Sequence, residues 1–387
     1  MKGHKMKQII NARIVTSEGI VDNKVLVFSE KIEGIEDAPR VGVEAIDAKG
    51  NLVIPGLIEL HMHGYYGREC TDDDDSLDAI AKGIFKNGVT AFLPTMHTSS
   101  YPTFDMSFDR ARDLKKRQKA DASLGCSSAE VLGVHAEGPF LNMEKKGAQD
   151  PRYIVAPDFE FIKKHSDLIK IITIAPEKDE NLETIKKVVA ETDIVVSAGH
   201  TAADYDTMVA AIDAGVTHAT HLFNAMSSFS HRSPGGTGAL LFSDKVSCEL
   251  ICDGVHVNPA WFEPVYRLKG RKLNLITDAV RPTGLPDGQY GSGGLAVTLK
   301  GPECRLADGT IAGSVLRLNH AVRNLAKTGV PLHEAVNCAS LYPAETLKCS
   351  NERGEIKVGF VADLSICTPE FEIISVYKNG ECGYVSE

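Results

Sequence analysis

Long apolar runs are missing from this 387-residue chain. The longest nearly apolar stretch, Leu52 to Ile58, contains Pro55 and Gly56 and falls far short of the ~20 residues a membrane-spanning helix needs. No apolar segment follows the basic stretch Met1 to Ile10, so a secretory signal is not expected. A basic surplus is missing as well: 42 Lys and Arg stand against 52 Asp and Glu, a net charge of −10. That excludes a duplex-binding surface and leaves a small anionic substrate held by one or two local cations. Paired cysteines are also absent. The nine cysteines are odd in number, contain no Cys-x-x-Cys, and sit in a chain too large to need staples. Reduced thiols in a cytoplasmic protein are expected, with Cys248 and Cys252 in the core beside a strand. There is no internal repeat and no low-complexity tract. The acidic run Asp72–Asp75 lacks the alternating spacing and glycine of an EF-hand loop, and reads as a solvated, dipole-favoured helix start.

What remains is an ordinary globular composition, 43% hydrophobic and 24% charged. From residue 53 onward, β-rich runs alternate with amphipathic segments. The strands expected are Val53–His61, Val89–Thr95, Val131–Glu137, Ile171–Ala175, Ile194–His200, Thr217–Leu222, Ser247–Asp253 and Leu273–Asp278. Between the first two, Leu77, Ile80, Ala81, Ile84 and Phe85 repeat with helical spacing, and Gly88 follows as a C-terminal stop. Similar patterns fall in Phe104–Gln118, Phe159–Leu168, Leu182–Glu191, Tyr205–Ala214 and Pro259–Leu268, with two more helices at Val315–Lys327 and Leu332–Leu347. Eight strand–helix units predict an α/β fold, a (β/α)8 TIM-type barrel. Residues 7–52 and 358–387 read instead as short strands. The expected organisation is a discontinuous β-sandwich domain of residues 1–54 and 358–387, with a catalytic barrel over 55–357.

Barrel sites form at the C-terminal ends of strands. Here those ends carry His61-Met62-His63, His135-Ala136-Glu137, Gly199-His200-Thr201, Thr220-His221, Asp253-Gly254-Val255-His256 and Thr277-Asp278. A lone strand-end histidine is usually structural. Six strands delivering His, Asp or Glu to one rim point to a metal site of three ligands with an open position. The His-x-His alternation puts both rings on one face of a strand, as chelation requires.

At these residues the sequence resembles a known family. Pro55-Gly56-Leu57-Ile58-Glu59-Leu60-His61-Met62-His63-Gly64 is similar to the first-strand signature of the amidohydrolase superfamily. His135-Ala136-Glu137-Gly138-Pro139-Phe140, Ala198-Gly199-His200-Thr201, Thr220-His221-Leu222-Phe223-Asn224-Ala225-Met226 and Cys252-Asp253-Gly254-Val255-His256 resemble its N-acetylglucosamine-6-phosphate deacetylase family. The likeness continues through Leu341-Tyr342-Pro343-Ala344 and Gly359-Phe360-Val361-Ala362-Asp363-Leu364. The resemblance implies that Glu137, His200 and His221 hold a principal metal and that His61 and His63 mark a second position. It implies Asp278 as catalytic aspartate and His256 as a residue near the scissile amide. Asn224 and Ala225 would contact the sugar, and the Ala312-Gly313-Ser314 turn would close over it. Arg232 matches a phosphate-binding arginine that the family supplies across a homodimer interface. The implied cofactor is one or two divalent ions, zinc first, with iron, manganese and cobalt as alternatives.

The chemistry is then amide hydrolysis: a divalent ion makes water acidic and polarises the carbonyl, while Asp278 accepts the water proton and returns it to the leaving amine. His256 would stabilise the developing oxyanion or hold a sugar hydroxyl; a structural role at a helix start, before Asn258-Pro259, is the alternative. The fourth strand ends Ile174-Ala175-Pro176-Glu177 without the lysine that cyclic-amidase relatives place there, which argues against that branch. One position departs from the family. After Lys145-Lys146-Gly147-Ala148, Gln149 stands where a phosphate-contacting histidine is usual, replacing a potential cation by a neutral amide. Deacetylation of N-acetylglucosamine 6-phosphate is therefore expected, with the galactosamine epimer or a non-phosphorylated sugar as the alternative. A non-catalytic metal-binding scaffold would predict a lost ligand or base, and none is lost. No nucleic acid or membrane partner is expected.

Overall fold

The computed structural model describes residues 5–73 and 75–386; the parts of the expected terminal segments and acidic run that fall on residues 1–4, 74 and 387 lie outside them. Eight parallel strands form the barrel: β1 Leu57–Met62, β2 Val89–Met96, β3 Val134–Glu137, β4 Ile169–Ile174, β5 Val195–Ala198, β6 His218–Ala219, β7 Ser247–Ile251 and β8 Leu273–Ile276. Each pairs with the next in chain order. The ring closes just past β8, where Met62 bridges Ala279 and the Asp278 N–H donates to the His61 carbonyl at 2.9 Å. β2 is buried at every position, as a strand covered on both faces must be. Helices cover the outside. Ser76–Phe85 buries Leu77, Ile80, Ala81, Ile84 and Phe85, then turns through Gly88, whose φ of +85° only glycine adopts readily.

Several boundaries moved, each for a physical reason. The expected strand Val53–His61 is two strands, Leu52–Pro55 in the terminal sheet and β1 in the barrel, separated at Gly56. A Cβ at Gly56 would lie 2.1 Å from Thr90 Oγ1, so only glycine lets the chain pass between the two layers. The expected strand Val131–Glu137 is divided into Glu130–Val131 and β3. The expected strand Thr217–Leu222 keeps only His218–Ala219, because His221 and Phe223 take left-handed backbone at φ +32° and +78°. The expected helix Leu332–Leu347 is Leu332–Asn337 and Leu341–Thr346. Between them the Cys338 and Ala339 carbonyls leave the helix to accept the N–H groups of Leu275 in β8 and Ile58 in β1. A helix at Gly235–Phe242 was not expected. Neither was the antiparallel sheet Gly288–Ser292, Leu295–Lys300, Glu303–Arg305 and Ile311–Gly313 that follows β8.

The two chain ends build one sheet. Lys7–Thr16, Gly19–Phe28, Ile32–Glu36, Glu44–Asp47 and Leu52–Pro55 join Leu364–Cys367, Ile373–Lys378 and Glu381–Val385 in eight strands. Leu52–Pro55 lies between Lys7–Thr16, parallel, and Leu364–Cys367, antiparallel. Ile9, Ile14, Leu26, Phe28, Val53 and Tyr377 form a core separate from the barrel's. A charged latch ties sheet to barrel: Lys378 Nζ donates to the Thr90 carbonyl at 3.0 Å and lies 3.4 Å from Glu130, which Arg353 meets at 3.0 Å. Among the described residues no helix is long and apolar enough to cross a membrane.

Candidate active site

Glu137 is the last residue of β3, and His200, His221 and Asp278 each lie two residues beyond β5, β6 and β8. Three of these four depart from ordinary backbone: His200, His221 and Asp278 have φ of +47°, +32° and +50°. Non-glycine residues held there cost about 1–3 kcal/mol each, and such strain gathers at functional sites. It turns the side chains inward. His200 Nε2 and His221 Nε2 lie 3.1 and 3.0 Å from Glu137 Oε1, and His63 Nε2 is 3.1 Å from Glu137 Oε2 and 3.3 Å from Asp278 Oδ1. His61, fully buried beneath, reaches Glu137 at 3.4 Å and Asp278 at 3.7 Å.

These donors fit a divalent ion. His61, His63 and His200 donate Nδ1–H to Glu249, the Thr95 carbonyl and the Lys145 carbonyl at 2.9, 3.2 and 2.8 Å. Their Nε2 lone pairs therefore face inward. The His61 and His63 Nε2 atoms are 3.2 Å apart, and those of His200 and His221 are 3.1 Å apart. The His61 and His63 lone pairs, that close, repel unless a cation lies between them. The electrostatics agree: Glu137, Glu249 and Asp278 are buried, and no Lys or Arg among the described residues pairs with them. Burial alone would lower the His61 pKa, but Glu249 and Glu137 lift it to about 10. Burial also opposes charge on His63, yet Asp278 and Glu137 raise it to about 9. Asp278 and Glu249 are pushed up by burial but held at about 2, Asp278 by His63 and His61, Glu249 by His61. The pocket demands positive charge, and its groups Glu137–His200–His221 and His61–His63–Asp278 offer places for one or two divalent ions.

A cavity of about 460 Å³ opens above these donors. His63, Glu137, His200, His221 and Asp278 form its floor, with Asn224, Ala225, His256, Ala148, Ala312 and Gly313 on the walls. His256 Nδ1 is 2.6 Å from Asp253, whose carboxylate also accepts the Val255 and His256 N–H groups. Three expected residues are placed differently. Gln149 lines the cavity but is buried, and its amide is committed inward: Nε2 donates to Glu137 Oε2 and Oε1 accepts the Thr98 N–H at 2.8 Å. Ser314 stays behind the wall, its N–H on the Asp278 carbonyl at 2.8 Å and its hydroxyl on Thr277. Arg232 is exposed outside its own chain's cavity, with Nε on His231.

Other residues had escaped notice. His97 follows β2 and stacks on His63 at 3.6 Å and 9°, both its nitrogens buried without a hydrogen bond and Nε2 3.8 Å from Glu69. Applying the strand-end rule to β2 would have named it. Glu249, inside β7, orients His61 and accepts the His221 N–H at 3.0 Å; a carboxylate amid Cys248 and Leu250 was the available signal. Asp72 is no merely solvated helix start. With Glu69 it grips Arg281 at 2.8–3.0 Å, and Glu69 also accepts from Ser292 and Gly293, joining the end of β8 to the antiparallel sheet.

A barrel presenting this buried donor set beneath a cavity defines a metal-dependent hydrolase. The chain belongs to the amidohydrolase family, whose profile matches residues 52–382. It is 38% identical over 344 residues to the N-acetylglucosamine-6-phosphate deacetylase of Bacillus subtilis (strain 168), covering 87% of this chain and 86% of that one. Over 384 residues it is 33% identical to the N-acetylgalactosamine-6-phosphate deacetylase of Escherichia coli, covering 97% and 99%. The crystal structure of N-acetylglucosamine-6-phosphate deacetylase from Pasteurella multocida superposes with a TM-score of 0.91 at 31% identity, covering 98% and 100%.

Proposed function

We propose that this protein is a metal-dependent deacetylase that hydrolyses N-acetylglucosamine 6-phosphate to glucosamine 6-phosphate and acetate. The observation that carries it is the Glu137–His200–His221 cluster facing Asp278 across a sugar-sized cavity, in a chain similar along its length to enzymes of that name. A divalent ion held by Glu137, His200 and His221 supplies Lewis acidity toward water and the amide carbonyl. The protein's own groups do the rest. Asp278 is ionised and takes the proton as the water oxygen bonds to the carbonyl carbon. His256, oriented through Nδ1 by Asp253, presents Nε2 to the developing oxyanion or a sugar hydroxyl. Asp278 then returns the proton to the amine as the C–N bond breaks. Asn224 and Ala225 on one wall and the Ala312-Gly313 turn on another hold the sugar. Lys145 and Lys146 line the cavity and suit the phosphate. Arg232, exposed and outside its own cavity, suits service to a neighbouring site in a homodimer. We place the protein in the cytoplasm, in keeping with nine free cysteines, and set its domains at residues 1–54 with 358–387, and 55–357.

The galactosamine epimer is the second reading, favoured by the Escherichia coli relative. Acetate release should be measured from N-acetylglucosamine 6-phosphate, its galactosamine epimer and the free sugars, with metal content read from the same sample. Fastest turnover of N-acetylglucosamine 6-phosphate is expected. Faster turnover of the epimer would reassign the substrate, and equal kcat/KM for free and phosphorylated sugars would remove the phosphate requirement.

A further inference from the structure

The four histidines that face the metal positions are not held alike from behind. His63 and His200 donate Nδ1–H to the Thr95 and Lys145 backbone carbonyls, and His221 Nδ1 is buried without a hydrogen bond. His61 is backed by a carboxylate, its Nδ1 2.9 Å from Glu249 Oε2. Glu249 stands in the middle of β7, a strand buried at every position. Cys248 Sγ lies outward, 3.8 Å from the Leu240 carbonyl of the helix Gly235–Phe242, so strand alternation sends Glu249 into the barrel. There the same oxygen, Oε2, also accepts the His221 N–H at 3.0 Å, at a residue whose backbone is left-handed. One oxygen therefore holds a residue of each metal position, His61 by its ring and His221 by its backbone.

For a buried charge, Glu249 is poorly compensated. His135 Nδ1 and His218 Nδ1 each stand 3.9 Å from its other oxygen, Oε1, beyond hydrogen-bond reach. They turn instead to the Leu60 carbonyl at 3.2 Å and Ser197 Oγ at 3.1 Å. Oε1 has no hydrogen bond. A carboxylate stripped of water and left unpaired is costly, so positive charge is needed close by. The place for it is the far side of the His61 ring. A proton on Nε2 would answer Glu249 alone. A divalent ion there would also answer His63 and Asp278, whose donor atoms gather at the same point, Nε2 of His63 at 3.2 Å from that of His61 and Asp278 Oδ1 at 3.7 Å.

We propose that Glu249 is the positioning residue of the second metal position and decides that this chain holds two divalent ions rather than one. It fixes His61 with its Nε2 lone pair toward His63 and Asp278, and it supplies the negative charge that a second dication needs. Carboxylates placed behind a ligating histidine set its tautomer and raise its basicity, and their loss typically weakens metal binding about 10–100-fold. The loss should fall on one ion of the two, because Glu137, His200 and His221 keep their own contacts. The inference rests on the metal-dependent reading of the site, and its readout, ions bound per chain, needs no turnover.

The test is equilibration of the metal-free protein with zinc buffered over a range of free concentrations, followed by elemental analysis of the ions bound per chain. Wild type should bind two. Glu249→Gln keeps an oxygen to accept from His61 and His221 but loses the charge; it should bind the second ion about 10–100-fold more weakly and the first nearly as before. Glu249→Asp keeps the charge but draws it back by one methylene, and should show the same selective loss; urea unfolding of each metal-free variant reports that it folds. His61→Asn should remove the second ion, and adding Glu249→Gln to it should then change the affinity of the remaining ion by no more than about twofold, which a merely structural role would not predict. Equal weakening of both ions, or unchanged binding of both in a folded variant, would overturn the inference. A wild type that binds one ion would overturn it and leave the proposed function standing, whereas one that binds none would remove both.

Discussion

Replacing Gln149 by leucine keeps the side-chain bulk and deletes both ends of its amide. Two consequences follow from the geometry, and they are separable. The Thr98 N–H loses the acceptor it holds at 2.8 Å in a buried setting, which costs about 1–3 kcal/mol of stability. Glu137 Oε2 loses the donor that fixes its plane between His63 and the His200–His221 pair. Partners that orient a metal-ligating group typically account for about 10–100-fold in metal affinity, or roughly 1.4–2.7 kcal/mol. Gln149→Leu should therefore bind zinc about 10–100-fold more weakly, as read by retention against a graded series of chelator concentrations. Urea unfolding of the metal-free protein should separately report the Thr98 loss. Zinc retention within about twofold of wild type, in a variant that has lost the expected stability, would refute the positioning argument. It would leave Gln149 as a buried polar residue and no more.

Asp278→Asn should lower kcat by roughly 10²–10⁴-fold, the usual worth of a general base, with zinc content measured on the same sample unchanged. Retained turnover would remove Asp278 as the proton acceptor. A third expectation concerns the latch between sheet and barrel. Burial raises the Glu130 pKa, but Lys378 and Arg353 outweigh it and hold it at about 2 against an ordinary 4.5. Because the folded value is the lower one, this stabilisation is complete above about pH 4.5 and disappears as pH falls toward 2, on the order of 3 kcal/mol in all. Urea unfolding of wild type and Glu130→Gln should differ by that amount at neutral pH and converge in acid. A difference constant across the range would show that the pair is not the cause.

Much of the site was legible because barrel chemistry is confined to strand ends, and His61, Glu137, His200, His221 and Asp278 are chemically conspicuous there. What escaped notice has particular causes. The resemblance sets Gln149 at a phosphate-contacting position, yet an uncharged amide is just what can be buried against a carboxylate without a counter-ion, and it turns inward. Glu249 sits within a strand rather than at its end, and only the closed ring brings its side chain across the barrel interior to His61 on β1. In the barrel, periodicity located all eight strands but not the breaks. The interruption at Gly56 depends on Thr90, and that between Asn337 and Leu341 on hydrogen bonds to Ile58 and Leu275. Both are contacts between residues far apart in sequence, where local pattern carries no information. The antiparallel sheet after β8 reads as glycine-rich loop because its strands are short and half exposed.

The terminal sheet has a consequence for the order in which the protein is made. Leu52–Pro55 runs directly into β1, and its outer neighbour is Leu364–Cys367. At about 5–20 residues per second, a ribosome spends roughly 15–60 s producing the chain between them. Throughout that interval the N-terminal strands are complete but present a bare, hydrogen-bonding edge. Quality control in the growing cell would therefore meet this protein as an unfinished sheet, and loss of the last strands would leave that edge permanently open to other chains.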